Sequence, residues 1–467
     1  MTDWRDAVLV GVSPLGEESG DPGHADTALW VGQGRIGRAD VVVACWNFGY
    51  RGGSFGERDA SAFAVACAEA AGTRRPLVSM IRSGGTRLQE GMRALVGIPR
   101  ALLALELLAE AGVPHIAVAD NPTTGGVWVA IGSCADLRVG VSGATVGFSG
   151  PRVIEAMTGV SVPRGTYTAE SAREAGLLDA VVAPESLATW LENALVALRP
   201  DDPAPTTPPA PAAVPDRAGR DQVAASRDRD RPGGAELMDA LLATGEEEPV
   251  AVGGPDESVA AAIGRVGGHR VVVAALAARR AGRATPGGYA LLRRVAELAG
   301  RLDAALVVLI DTAGADPLPV SELAGIAPAI SVAMAAVLRC PSPTVAVVHG
   351  EGGSGGALAG AVTDCVAVTE LGWFAALGPE GAGATLRVDP GAAAELMGVT
   401  PLDLLASGFA DALAPTDAAA LREWLADRLN QLRTLPAADR MSRRRSRWAG
   451  PLPGSSASGR DEPPDIA

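Results

Sequence analysis

The sequence predicts an α/β fold in two tandem copies, on three observations. A pattern recurs: Pro-Thr-Thr-Gly-Gly at 122–126, Asp136 and Gly150-Pro151, then Gly-Glu-Gly-Gly-Ser-Gly-Gly at 350–356, Asp364 and Gly378-Pro379, with 14 residues from Asp to Gly in both (150 − 136 and 378 − 364). Short apolar runs alternate with longer segments of helical period in each half. A proline-rich stretch separates the halves. A glycine turn also repeats downstream, as Gly176-Leu-Leu-Asp179 and Gly408-Phe-Ala-Asp411, and self-similarity on this scale marks a duplicated structural unit.

The first unit spans residues 1–198. Val41–Cys45 reads as a buried strand, the Gly52–Gly56 segment as a turn, and Asp59–Ala71 as a helix. Pro76–Ile81 is a strand ending at Ser83-Gly84-Gly85. Leu88–Ala111 has helical period and Gly112 stops it. His115–Ala119 is a strand that feeds the Gly125-Gly126 turn, on which a helix begins. Leu137–Val141 and Thr145–Phe148 are short strands. Residues 199–231 read as a flexible linker: prolines from Pro203 to Pro211 exclude helix and interior strand, and the Asp/Arg run to Arg231 is polar. The second unit, 232–438, repeats the theme. Arg270–Ala275 and Ala304–Ile310 are strands, the latter ending at Asp311-Thr-Ala-Gly314. Ser321–Leu338 is a long helix, Thr344–Val348 a strand entering the glycine-rich turn, and Ala418–Leu432 a closing helix. Residues 439–467, with Arg443, Arg444, Arg445 and Arg447, read as a disordered basic and polar tail.

Composition narrows the chemistry. With 48% apolar and 20% charged residues the chain is globular, and its net charge of −14 argues against nucleic-acid binding. All 40 basic residues are arginine. The absence of lysine excludes a Schiff base, a phosphate-loop lysine and a lysine-borne biotin or lipoate, so any swinging cofactor sits on another chain. The five cysteines include no C-x-x-C pair and suggest reduced thiols in the cytoplasm, and the four histidines have no metal-ligand spacing. The start lacks a signal-peptide pattern, and the longest uncharged apolar stretch, Leu323–Leu338, is too short for a membrane span.

The Gly-Gly turns are the candidate sites. Glycine turns sharply with no Cβ in the way, and the N–H groups at the start of the following helix have no intrahelical partner. Donors of that kind stabilise a developing oxyanion, each lowering the barrier by roughly 3 kcal/mol. Two copies imply two such sites and enolate-like species at both.

These residues carry a resemblance. Ser83–Glu90, Asp120–Gly126 and Gly147–Glu155 resemble the beta subunit of the acetyl-CoA carboxylase carboxyltransferase. Gly350–Ala359 and Gly378–Gly381, with Asp311–Gly314 and Thr285–Tyr289, resemble its alpha subunit. The order is that of the single-chain acyl-CoA carboxyltransferases. The resemblance implies two tandem crotonase-like domains and carboxyl transfer from carboxybiotin, on a separate carrier protein or biotin carboxylase subunit, to acetyl-CoA or propionyl-CoA. By position, Gly125 and Gly126 would donate to the thioester oxygen and Gly356 and Ala357 to the ureido oxygen of biotin. Ser83, Gly84, Gly85, Arg87, Gly150 and Arg152 would serve the coenzyme A side, and Gly353, Gly355 and Gly378 the second turn. The family places its active site between protomers, so a homo-oligomer is implied. No zinc is expected, since the beta subunit's four-cysteine ribbon has no counterpart. Asp311-Thr-Ala-Gly314 replaces the family's Asp-Thr-Pro-Gly, which leaves two alternatives open: a biotin-independent malonyl-thioester decarboxylase, and a non-catalytic coenzyme A-binding paralogue.

Overall fold

Glycine turns and apolar runs organise two sheets. The computed structural model describes residues 4–15, 27–163, 165–207, 212–228, 230–243, 248–277, 279 and 282–452. The first sheet contains β1 (Val12–Pro14), β2 (Leu29–Ile36), β3 (Ala39–Trp46), β4 (Leu77–Ser83), β5 (His115–Thr124), β6 (Leu137–Val141), β7 (Val146–Gly147) and β8 (Ala180–Val182). Its order is β1-β2-β3-β4-β5-β6-β8, with β7 beside β5. The second contains β9 (Val250–Ala251), β10 (Val259–Val266), β11 (His269–Leu276), β12 (Gly282–Ala284), β13 (Ala305–Ala315), β14 (Thr344–Gly353), β15 (Cys365–Val368), β16 (Trp373–Ala375) and β17 (Ala412–Leu413). Its order is β17-β15-β14-β13-β11-β10-β9, with β12 on β13 and β16 on β14. From β3 to β6 and from β11 to β15 the pairing is parallel. The central strands are buried along nearly their whole length, which is why they read as continuous apolar runs.

Each sheet opens with an antiparallel hairpin that the apolar runs alone do not reveal. Ile36 pairs Ala39 and Val266 pairs His269, leaving two-residue loops, Gly37-Arg38 and Gly267-Gly268. Gly37, Gly267 and Gly268 have φ of 56°, 56° and 84°, as such tight hairpins require. The expected helix over 321–338 is two helices, Pro319–Leu323 and Ile326–Arg339, broken at Gly325 with φ 83°.

The layers share a core. One apolar cluster joins Val118, Val139 and Leu191 of the first unit to Leu292, Val295 and Val308 of the second. Separate clusters cover the outer faces: Phe63 and Leu108 on the first sheet, Leu241 and Leu425 on the second. Polar contacts pin the junction. Arg294, on the helix Pro286–Arg301, meets Asp179 at 2.6 Å, and Arg301 of the same helix meets Asp136 at 3.0 Å. Arg270 donates to the Leu198 carbonyl at 2.6 Å, capping the helix Leu187–Ala197.

The segment expected to be a flexible linker is tied down. Residues 208–211 and 229 lie outside the described residues, but Gly219–Ser226 is a helix packed on the second unit. Gln222 Nε2 donates to the carbonyls of Glu370 and Gly372 at 2.9 Å each, and Ser226 Oγ accepts from Trp373 Nε1 at 2.8 Å. The tail differs from expectation in the same way. Residues 453–467 lie outside the described part, but Ala437–Ala449 is a helix whose Arg440 and Arg444 are buried. Both segments carry arginines that find acidic or carbonyl partners far off in sequence, which composition cannot register.

Candidate active site

Two strand–turn–helix loops sit at equivalent ends of their sheets. In the first, β5 ends at Thr124 and a short helix starts at Gly125, with a π-helical turn following over Trp128–Gly132. In the second, β14 ends at Gly353 and the helix Ser354–Ala361 follows. The first helical residue has positive φ in both, 66° at Gly125 and 58° at Ser354. Gly85 and Gly314, at the ends of the neighbouring strands, match too, with φ of 108° and 118°. Each is held the same way: Gly85 N–H donates to Ser83 Oγ and Gly314 N–H to Thr312 Oγ1, both at 3.1 Å. The structural counterpart of Gly125-Gly126 is therefore Ser354-Gly355, and Gly356 and Ala357 lie one and two residues further into the helix.

The glycines are required by close approach. A Cβ on Gly125 would stand 2.8 Å from Gly85 Cα, and one on Gly126 would stand 2.4 Å from Ile98 Cδ1. In the second loop a Cβ on Gly353 would meet the Ala313 carbonyl at 2.4 Å, and one on Gly356 would meet Ala315 N at 2.4 Å. Gly355 faces open space and is exposed. The N–H groups of Ser354, Gly355 and Gly356 are first-turn donors with no intrahelical carbonyl to reach, whereas the Ala357 N–H, four residues past the N-cap Gly353, closes the first helical turn and is not available as expected.

Several expected site residues take other roles. The Gly125 N–H donates to the Phe148 carbonyl at 3.0 Å, so it is engaged and Gly126 is left as the donor of that turn. Arg87 is not available to a coenzyme: its side chain is 3% exposed, meets Asp59 at 2.6 Å and Glu90 at 2.8 Å, and donates to the Ser54 carbonyl at 2.5 Å. Asp59, which composition does not single out, also accepts from the N–H groups of Ala28, Leu29 and Gly56, so it knits the loop beside the site. Ser83 is buried and its hydroxyl is spent on Gly85. Gly84 is exposed, with its N–H on the Gly52 carbonyl at 3.0 Å. Gly150 and Gly378 are matched N-caps of the helices Pro151–Thr158 and Pro379–Leu386. Arg152 lies in the first turn of the former, and its side chain is outside the described residues.

Acid–base candidates are few. Burial holds His115 down at about 3 and His349 at about 4, so both rings are neutral near pH 7. Tyr289 is fully buried against the second loop, and a Cβ on Gly356 would lie 2.7 Å from its hydroxyl. Among the described residues no cluster of three or more His, Cys, Asp or Glu is placed to hold a metal ion, and no helix is long and apolar enough to cross a membrane.

The comparisons with known proteins agree with this geometry. The family described as "Acetyl co-enzyme A carboxylase carboxyltransferase-like" matches residues 219–450, beginning at the helix Gly219–Ser226 and ending just past the helix Ala437–Ala449. The chain is 39% identical over 448 residues to the probable biotin-dependent acyl-coenzyme A carboxylase beta3 subunit of Mycobacterium tuberculosis, covering 91% of this chain and 89% of that one. It is 36% identical over 406 residues to the acetyl-coenzyme A carboxylase carboxyl transferase subunits beta/alpha of Saccharopolyspora erythraea, covering 83% and 71%. Among solved structures, a transcarboxylase 12S described as a hexamer with methylmalonyl-coenzyme A bound has the same fold, with a TM-score of 0.76 at 22% identity over 92% of this chain and 89% of that one. A matched pair of glycine loops, one per crotonase-like half, and relatives of this length and identity place the chain in the carboxyltransferase family of the biotin-dependent acyl-CoA carboxylases.

Proposed function

We propose that this chain moves a carboxyl group between biotin, carried on a separate protein, and a short acyl-CoA, either acetyl-CoA to malonyl-CoA or propionyl-CoA to methylmalonyl-CoA. The observation that carries the reading is the pair of strand–turn–helix loops with unengaged first-turn N–H groups, one in each half. At the first loop the Gly126 N–H stabilises the thioester oxygen as it takes on enolate character. At the second, the Gly356 N–H serves the ureido oxygen of biotin. Bound biotin supplies the carboxyl group and, once that is lost, a basic nitrogen; the neutral, buried histidines fit chemistry that asks for no protein base. The Gly84-Gly85 loop and Gly150 border the coenzyme A side, and Gly353, Gly355 and Gly378 shape the second loop.

The partners are a biotin carboxyl carrier protein with its biotin carboxylase, in the cytoplasm, and further copies of this chain. Apolar side chains stand exposed in both units, among them Met92 (68%) and Leu103 (70%) on the helix Met92–Glu110 and Leu323 (90%) on the helix Pro319–Leu323. Faces of this kind suit burial against a second protomer, and the active site is completed there.

The test is incubation of the purified chain with malonyl-CoA, with and without free biotin, with the coenzyme A products followed by chromatography. Conversion to acetyl-CoA only with biotin present supports the reading. Conversion without biotin overturns it in favour of a decarboxylase. The same assay with methylmalonyl-CoA sorts the acyl chain. Gly126→Val and Gly356→Val keep the N–H but force it out of place, since even a Cβ would stand 2.4 Å from Ile98 Cδ1 or Ala315 N, and each should lower turnover by about a hundredfold or more.

A further inference from the structure

The segment between the two units meets the second glycine loop through two arginines. Arg231 grips Asp311 with two parallel contacts, Nη1 to Oδ2 and Nη2 to Oδ1, both 2.7 Å. Asp311 Oδ1 also accepts the Glu351 N–H at 3.0 Å, and β14 passes so close that a Cβ on Gly350 would stand 2.1 Å from that oxygen. Glu351 carries a carboxylate only 4% exposed, and Arg227 Nε donates to it at 2.7 Å. The same guanidinium reaches Glu380 at 2.5 Å, in the first turn of the helix that Gly378 caps. One side chain thus bridges the strand entering the glycine loop and the helix that follows Gly378-Pro379. Its own base is fixed, since the helix Gly219–Ser226 is stitched to the Glu370–Trp373 loop by Gln222 and Ser226.

We propose that Arg227 is a positioning residue for the second site: acting through Glu351 and Glu380, it sets the backbone of Gly353–Ala357 on the biotin side. This rests on the carboxyltransferase reading. Arg227 is 41% exposed and Glu380 59%, so that pair adds little to global stability, whereas both carboxylate partners flank the loop. Removing it leaves the buried Glu351 carboxylate without its cation, two residues before Gly353. The first loop is wired differently. Pro122 stands at the place of Glu351, and Arg82, on β4, donates from Nε to the Asn121 carbonyl at 2.8 Å. The clamp therefore acts on one site and not on the other.

The experiment uses the full chain and Arg227→Gln. Amide hydrogen exchange is followed in peptides covering residues 350–358 and 122–130. Exchange at 350–358 should accelerate by about tenfold or more while 122–130 stays as in the wild type. In the malonyl-CoA assay the KM for free biotin should rise about tenfold or the biotin-dependent kcat fall by that factor, with the KM for malonyl-CoA within about twofold. Arg227→Lys, which keeps the charge but not the fork, should recover part of the loss. Unchanged exchange at 350–358, or an equal loss on both substrates, overturns the proposal. If the wild-type chain shows no biotin-dependent turnover, the carboxyltransferase reading fails on its own, and the exchange comparison still decides whether Arg227 holds the loop.

Discussion

Three adjacent arginines near the C-terminus make a sharp test of the packing. Arg443 and Arg445 are exposed, while Arg444 is 1% exposed. Arg444 donates from Nε to Asp364 Oδ1 at 2.8 Å and from Nη2 to Oδ2 at 2.6 Å. Its Nη1 also donates to the carbonyls of Val337 and Cys340, at 3.1 and 2.6 Å, closing the end of the helix Ile326–Arg339. Arg444→Ala leaves a carboxylate 4% exposed without its cation and those carbonyls without a donor, so about 3–5 kcal/mol should be lost. Arg443→Ala and Arg445→Ala should each stay within about 0.5 kcal/mol of the wild type. Urea unfolding followed by tryptophan emission reads the difference, since Trp373 and Trp424 lie in the second unit and Trp448 in the C-terminal helix itself. Adding Asp364→Asn to Arg444→Ala should recover about 1–2 kcal/mol, because a neutral amide still accepts the Thr344 N–H that now bonds Asp364 at 2.9 Å. If Arg444→Ala unfolds at the same urea concentration as Arg443→Ala, the tail is not docked and the reasoning fails.

Two further expectations follow from burial. His115 and His349 titrate at about 3 and about 4 in the folded chain because burial opposes their charge, below the ordinary 6.5. The unfolded chain therefore binds protons that the folded one refuses, and stability falls as pH drops from about 6.5 toward 4, by up to about 3 kcal/mol for each ring; a urea midpoint that does not move between about pH 7 and about pH 5 would contradict this. Burial also pushes the thiols of Cys67 and Cys365 up to about 12, and Cys45 and Cys340 are buried as well, whereas Cys134 is exposed. A thiol reagent at neutral pH should label one cysteine quickly and Cys134→Ser should abolish that phase; a second fast equivalent would show that the packing is looser than described.

What was legible in the sequence was whatever local pattern decides. Central parallel strands are apolar on both faces, so Val41–Cys45 and Thr344–Val348 announce themselves. The hairpins at Gly37-Arg38 and Gly267-Gly268 carried a turn signal in the same place in both halves, yet β2 and β10 alternate too weakly to be seen as strands without it. The segments around Arg227 and Arg444 were misjudged because charge runs are usually solvated faces. Here Arg231 and Arg444 are each matched by a carboxylate tens of residues away, Asp311 and Asp364, and the buried Arg440 by backbone carbonyls. A chain that uses only arginine for its cations has forks suited to such paired contacts.

The most regular part of the repeat turned out to hold the layers together. Asp136 accepts the His115 N–H at the start of β5, and Asp364 accepts the Thr344 N–H at the start of β14. Asp179 and Asp411 likewise accept from Arg138 N–H and Val366 N–H. Each pair then receives two arginines from the next layer: Arg301 and Arg294 on the first unit, Arg444 and Arg447 on the second. The C-terminal helix thus covers the second unit as the helix Pro286–Arg301 covers the first. The recurring aspartates record equivalent sockets, held tightly at Asp136, Asp179 and Asp364 because a misplaced carboxylate there is a buried charge. The glycine loops have more freedom. Only the positive φ at the first helical residue and the close backbone approach are demanded, and glycine in one loop and serine in the other both meet the first. The repeat therefore located the two loops, while the residue-by-residue correspondence between them, Gly125 with Ser354, is set by backbone geometry and not by the letters around it.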